Sequence, residues 1–292
     1  MVSLDTTRHS TLHAARRGYQ YADLLVKQLQ KREGTTVDLT GAAVKGSTNV
    51  TGKFTINEWC LLSLFLQERL KSSPNSCSMQ IEITHQPIQL IRTNPRSPLG
   101  RCFDNIVYVS HSYAGWLGTD LAVAYPKDVN AMVLTSWSTA VNFTPFASTE
   151  LEPVSILDPR KFPKLQLGCI AVKTQSNRTS LFYASDYSQQ VAAYDFATAD
   201  TWTIGETGNL GFVLPPVNYT GPLYIATGVE DKLFCQPPIA ACQTILKDTQ
   251  QFFPGVERFG FTAVENTGHT LMLHKSAQQT FAKIHTFLDA FL

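Results

Sequence analysis

Charge is scarce in this chain. Only 16% of its 292 residues are Asp, Glu, Lys or Arg, against about 25% in an ordinary globular domain. The 24 basic and 23 acidic side chains nearly cancel, leaving +1. A phosphate backbone is held by a local excess of Lys and Arg, so nucleic acid is not expected as a partner. Long apolar runs are missing too. The longest, Cys60 to Leu66 with Ser63 inside it, falls far short of the ~20 residues that cross a bilayer, so no membrane span is expected. The stretch from Met1 to Tyr19 has no apolar middle region of the secretory kind. The six cysteines (Cys60, Cys77, Cys102, Cys169, Cys235 and Cys242) include no Cys-x-x-Cys pair, which removes the usual zinc spacings. No internal repeat is visible.

What is present is apolar. A hydrophobic fraction of 43% argues against disorder and supplies a sizeable core, for one large domain or a domain with a lobed insertion. Signals about compartment conflict. Asn49-Val-Thr51, Asn177-Arg-Thr179 and Asn218-Tyr-Thr220 match the glycosylation sequon, and Asn142-Phe-Thr144 does so with Pro145 behind it. Cys235 and Cys242 are close enough in sequence for a local disulfide in an oxidising compartment; reduced thiols packed in a core are the alternative. As written the chain is expected to be cytoplasmic, and secreted if its N-terminus is incomplete.

From Phe103 to Ser138 the pattern is sharp. Ile106-Val-Tyr-Val109 reads as a buried strand. A helix follows, with Leu117, Leu121 and Ala124 at helical spacing and Pro126 as its stop. Ala131-Met-Val-Leu-Thr135 reads as a second buried strand, so the three form a parallel crossover unit. Residues 139–220 are irregular and rich in Pro, Phe and Tyr, which suits an inserted cap better than a plain loop. Strands return at Leu223–Thr227 and Phe259–Val264, and a last helix is expected after Ser276, with Phe281, Ile284, Leu288 and Phe291 on one face. Toward the N-terminus, residues 35–56 alternate like a hairpin, Glu58–Leu70 resembles a helix, and Met79–Ile91 reads as extended. The expected division is an atypical N-terminal region, 1–100, forming part of the core sheet; a core made of 101–138 and 221–292; and a cap, 139–220.

Three residues carry the chemistry. Ser112 sits in Ser110-x-Ser112-x-Ala114 between the strand and the helix, where a strained turn tolerates only tiny neighbours two positions away on either side. Asp231 lies in Gly228-Val-Glu-Asp231, just past a strand, and His269 follows the last strand in Gly268-His269. Nucleophile, acid, base, each beyond a strand, is the order of a hydrolase sheet. Glu230 is the alternative acid, although the Gly-x-x-Asp spacing favours Asp231. His111, preceding Ser112, is expected to point away from substrate, and His274 to lie at the solvated edge of the last helix.

Val109-Ser-His-Ser-Tyr-Ala-Gly115, Thr227-Gly-Val-Glu-Asp231-Lys-Leu-Phe-Cys235 and Glu265-Asn-Thr-Gly-His269 together resemble the alpha/beta-hydrolase superfamily, and most of all its fungal alpha/beta-hydrolase domain proteins. The likeness runs from about residue 103 to the end. It implies an α/β fold, a mostly parallel central sheet flanked by helices with an inserted cap. By that resemblance Ser112 is the nucleophile, His269 the base and then the acid, and Asp231 the residue that orients His269. The implied reaction is hydrolysis of a small carboxylic ester, lactone or thioester through an acyl-serine, and family context points to secondary metabolism. No cofactor and no metal are implied. The backbone N–H of Tyr113, next after the nucleophile, supplies one oxyanion donor; the His-Gly segment that supplies the second in relatives does not occur here. Loss of one such donor costs about two to three powers of ten in rate. A non-catalytic hydrolase-like binding protein is therefore the alternative function.

Overall fold

The computed structural model describes residues 78–95, 100–163, 165, 167–204, 206 and 215–291. The hairpin and helix expected within residues 35–70 lie outside them. Four parallel strands form the main sheet: β1 (Val107–His111), β2 (Ala131–Thr135), β6 (Leu223–Gly228) and β7 (Phe259–Val264), in the order β1-β2-β6-β7. β2 and β6 are buried along their whole length, which is why both read as continuous apolar runs rather than alternating ones.

The pleat divides each central strand between two layers. Met132 and Leu134 of β2, with Leu223 and Ile225 of β6, join Trp116 and Leu121 of α2 (Tyr113–Ala124) and Leu246 of α7 (Ile239–Thr249) in one cluster. Ala131 and Val133, with Tyr224 and Ala226, face the opposite way onto Ile284 and Leu288 of α8 (Ala277–Asp289). The sheet is thus covered on both faces. On α2 the buried residues are Gly115, Trp116, Gly118, Thr119, Leu121 and Ala122. Ala124, expected on that face, is exposed because the helix ends there, two residues before Pro126. On α8 the inner row is Thr280, Ile284 and Leu288, spaced four apart, and Phe281 is 40% exposed. Ser276 precedes α8 as expected, but its hydroxyl meets Thr267 Oγ1 at 2.7 Å instead of capping the helix.

Met79–Ile91 is helical, not extended: it lies within α1 (Ser78–Thr93), with Pro87 inside the helix. Pro87 and the β-branched residues disfavour a helix locally, and tertiary contacts override them. Ile81 and Ile88, seven apart, are buried, while His85, Gln89 and Arg92 form a polar row on the helix. That row grips one residue, Asp128. His85 Nδ1 lies 2.6 Å from Asp128 Oδ2, Gln89 Nε2 donates to Oδ1 at 2.8 Å, and Arg92 donates to the Asp128 carbonyl at 2.8 Å. Of the region 1–100 expected to join the sheet, the described part carries this helix and no strand.

Between β2 and β6 the chain leaves the parallel sheet. It builds α3 (Thr144–Ala147), β3 (Leu151–Pro153), α4 (Val154–Leu157), β4 (Cys169–Val172), α5 (Gln175–Phe182), α6 (Gln189–Thr198) and β5 (Trp202–Thr203). The three short strands form an antiparallel sheet in the order β3-β4-β5. Thr174 and Ser188 cap α5 and α6 by accepting from Asn177 and Val191 N–H groups.

Candidate active site

Ser112 stands at the bend between β1 and α2 with φ 54° and ψ −120°. A left-handed φ at a non-glycine residue persists only where its surroundings enforce it. Here the Ser112 N–H donates to the Thr135 carbonyl at 2.9 Å, and the Gly115 N–H donates back to the Ser112 carbonyl at 2.8 Å. A Cβ on Gly115 would come within 2.5 Å of the Trp137 indole, so the first turn of α2 needs glycine to sit there.

Beyond the carboxyl ends of β6 and β7 come Asp231 and His269. Asp231 is fully buried, and its Oδ1 accepts the N–H groups of Leu233 at 3.0 Å and Phe234 at 3.3 Å. Its Oδ2 lies 2.9 Å from His269 Nδ1, and His269 Nε2 lies 2.7 Å from Ser112 Oγ. A carboxylate on the Nδ1 side fixes the tautomer. Nδ1–H donates to Asp231, and Nε2 accepts from the Ser112 hydroxyl. Glu230 faces elsewhere, with Ser185 Oγ 3.5 Å from its Oε1. Three residues that are 119 and 38 positions apart in sequence therefore meet in one chain of hydrogen bonds.

The His269 ring is enclosed by others. Phe182 and Phe234 stack on it at 5.3 and 5.7 Å between centroids, and His111 lies at 5.1 Å. His111 thus departs from the expectation that it points away: β1 ends beside Thr135 in register, and the imidazole sits 3.1 Å from the Thr135 hydroxyl. That hydroxyl donates to the Ser110 carbonyl at 2.8 Å, so it accepts from His111 Nδ1–H. Burial, reinforced by His269, pushes the His111 imidazole down from 6.5 to about 3, against a smaller opposing effect of Asp231. His274 departs from expectation as well. It is only 4% exposed and hydrogen-bonded on both nitrogens, because the turn before α8 packs under the inserted segment rather than facing solvent.

A cavity of about 360 Å³ opens on Ser112 and His269. Aromatic rings contribute much of its wall, among them Tyr113, Trp116, Phe146, Phe182, Trp202 and Phe234. Several of these come from the inserted segment, the rest from the parallel core. Its polar members include Arg178, held in a two-point pair by Asp195 at 2.6 and 2.8 Å, and Glu206. Glu206 accepts from Gln80 Nε2 at 3.2 Å and from the Thr203 N–H at 2.6 Å; burial raises its carboxyl above the ordinary range. Tyr113 opens α2 and turns its hydroxyl onto Gln80 Oε1 at 2.6 Å. Its backbone N–H, next in the chain to Ser112, lies in the first turn of the helix, where donors aim out of the N-terminal end.

Some members of the site were not foreseen. Ser136, with φ 48° just past β2, donates its hydroxyl to the His269 carbonyl at 2.6 Å. Its position after a strand, on the same rim as the other three, was the available signal. Gln80 and Glu206 had none, since their meeting depends on the path of the insertion. Among the described residues no group of three or more His, Cys, Asp and Glu side chains is arranged around a common metal position. No described helix is long and apolar enough to cross a membrane.

A parallel sheet flanked by helices, a sharp bend at Ser112, and Ser, Asp and His in that chain order beyond strand ends are the features of the alpha/beta-hydrolase fold. No family model matches the chain, and no curated protein does either. Among solved structures, similar ones include a lipase-esterase related protein from Clostridium acetobutylicum at 13% identity and a TM-score of 0.46, covering 72% of this chain and 74% of that one. An alpha/beta hydrolase fold protein from Chitinophaga pinensis matches at 11% identity and 0.45, covering 74% and 72%. A monoacylglycerol lipase from Paleococcus ferrophilus matches at 12% identity and 0.44, covering 73% and 75%. These are distant likenesses of fold, and the functional reading rests on the geometry of the site.

Proposed function

We propose that the chain is a serine hydrolase that cleaves a carboxylic ester, lactone or thioester through an acyl-serine. The observation that carries this reading is the unbroken chain Ser112 Oγ–His269–Asp231, at 2.7 and 2.9 Å, with the hydroxyl raised on a strained bend at a cavity mouth. A serine alcohol attacks poorly until a base removes its proton. In the proposed reaction Ser112 Oγ bonds to the substrate carbonyl carbon while His269 Nε2 takes the hydroxyl proton. Asp231, on Nδ1–H, steadies the imidazolium that forms. The carbon–oxygen or carbon–sulfur bond to the leaving group then breaks, and His269 returns the proton to the departing atom. Water, deprotonated by the same nitrogen, attacks the acyl-serine and releases the acid. The Tyr113 N–H is the proposed donor to the developing oxyanion.

Residues 139–220 are proposed to act as the cap, because they bring Phe146, Phe182 and Trp202 to the cavity. Aromatic walls favour an acyl or aromatic substrate over a charged one. The compartment proposed is an oxidising one: Cys235 and Cys242 form a disulfide and Cys169 is disulfide-bonded as well, a state that cytosolic thiol buffers oppose. Alkylation and mass spectrometry of unreduced native protein test that point, where free thiols at Cys235 and Cys242 contradict it.

The decisive experiment on function is covalent labelling with a fluorophosphonate probe. The expected result is one adduct on Ser112, absent in Ser112→Ala, with turnover of p-nitrophenyl esters lost in parallel. Folded, pure protein that takes no label favours the binding role instead.

A further inference from the structure

His274 lies in the turn between β7 and α8, five positions beyond His269. Its Nδ1 is 2.9 Å from the Thr270 carbonyl. A carbonyl has no proton to give, so Nδ1 carries the hydrogen and Nε2 is left as a lone pair. Two backbone N–H groups converge on that lone pair, from Gly268 at 3.2 Å and from Ala184 at 3.1 Å. Gly268 immediately precedes His269, and Ala184 belongs to the inserted segment. The same two stretches are joined beside the imidazole. Thr270 donates to the Phe182 carbonyl through both its N–H, at 3.0 Å, and its hydroxyl, at 3.1 Å. A Cβ on Gly268 would come within 2.7 Å of the Phe182 oxygen and 2.9 Å of the Ala184 nitrogen, so only glycine permits this approach.

We propose that His274 is a positioning residue: its neutral imidazole clamps the loop bearing His269 to residues 182–184 and so keeps His269 between Ser112 and Asp231. The proposal rests on the hydrolase reading of that trio and extends it to a residue that touches neither substrate nor reacting atoms. The clamp works only while Nε2 is unprotonated. A proton there sets an N–H against two N–H groups and strips the buried Gly268 amide and the half-buried Ala184 amide of their acceptor. Burial lowers the pKa of His274, while the Thr270 carbonyl, Asp186 and Glu230 pull it upward. Lys275 is paired to Asp186 at 2.8 Å, and the rings of Tyr183 and Tyr187 pack beside the imidazole at 5.5 and 6.1 Å. The folded protein therefore favours the neutral ring. The clamp is complete above the ordinary histidine range and is lost as pH falls through the lowered value.

Three measurements on wild type, His274→Ala and His274→Gln test this: ester kinetics against pH, fluorophosphonate labelling rate, and the downfield proton resonance of His269 Nδ1–H bonded to Asp231. His274→Ala is expected to lose between roughly tenfold and a hundredfold in kcat, the range for a reacting group moved by an ångström, with KM nearly unchanged and the resonance broadened. His274→Gln, whose Oε1 restores an acceptor for the two amides, is expected to recover most of kcat and the resonance. Its activity falls in acid with one proton, where wild type falls with two. His274→Ala with wild-type kcat and a sharp resonance overturns the clamp; where His274→Ala does not fold, a His274→Gln variant with low kcat and the wild-type pH profile does so. Wild type that never labels, yet loses the resonance in His274→Ala, refutes the hydrolase reading and leaves the clamp standing.

Discussion

The parallel sheet and the segment inserted between β2 and β6 solve the problem of burial in different ways. β2 and β6 are covered on both faces, and the carboxyl ends of β1, β6 and β7 carry Ser112, Asp231 and His269, held by backbone hydrogen bonds and a buried carboxylate. The described part of the inserted segment has short strands, two to four residues long, and its separate core, Val154 and Cys169 with Phe162, Leu165 and Ala171, is small. It leans on the core instead, through Phe182, Thr270 and His274. Burial and backbone hydrogen bonds are therefore concentrated where Ser112, Asp231 and His269 meet, and aromatic surface at the cavity proposed to receive the substrate. The clamp at His274 lies on the seam, so a disturbance of the insertion reaches the imidazole of His269 directly.

That contrast is broken most directly at Ser112. Ser112→Ala is expected to lower kcat on the order of a millionfold, with KM and thermal midpoint little changed, because the change deletes the proposed nucleophile and no packing. Asp231→Asn follows at about ten-thousandfold, since an amide favours the wrong imidazole tautomer; steady-state kinetics at neutral pH measure both. A Cys235→Ser, Cys242→Ser double variant is expected to lose about 2–3 kcal/mol on the chain-entropy view of a short closed loop, read from urea melts. Trp202→Ala sharpens the comparison from the other side. It is expected to raise KM for bulky aromatic esters roughly tenfold, while the labelling rate with a small fluorophosphonate stays near wild type. The smallest effect at neutral pH belongs to His111→Gln. The folded protein holds this ring neutral down to about 3, whereas the unfolded chain takes up its proton near 6.5. Wild-type stability therefore falls as pH drops through that interval. The variant lacks this loss, so the gap between the two melting curves is expected to change with acid and vanish above neutrality.

Much of the core is legible in the sequence. β2 and β7 begin and end at the residues their apolar runs mark, whereas β1, read as buried over Ile106–Val109, runs Val107–His111 and leaves Val109 62% exposed. The α1 helix was not legible, since Pro87 and β-branched residues mask a buried stripe that exists only when Ile81 and Ile88 meet α2 and the polar row meets Asp128. The insertion is marked in the sequence by its irregularity, its length and its wealth of Pro, Phe and Tyr. Its described strands are two to four residues long, too short for any periodicity to register.

The sequence itself marks Ser112, His269 and an acid within Gly228-Val-Glu-Asp231, because each follows a strand and their chain order belongs to one kind of sheet. Tertiary structure alone decided between Asp231 and Glu230, turned His111 toward the cavity, and buried His274 beneath the insertion. The physical reason is range. Strand and helix signals are written within a few neighbouring residues, whereas the direction of a side chain and the state of its proton depend on groups that folding brings from a hundred positions away.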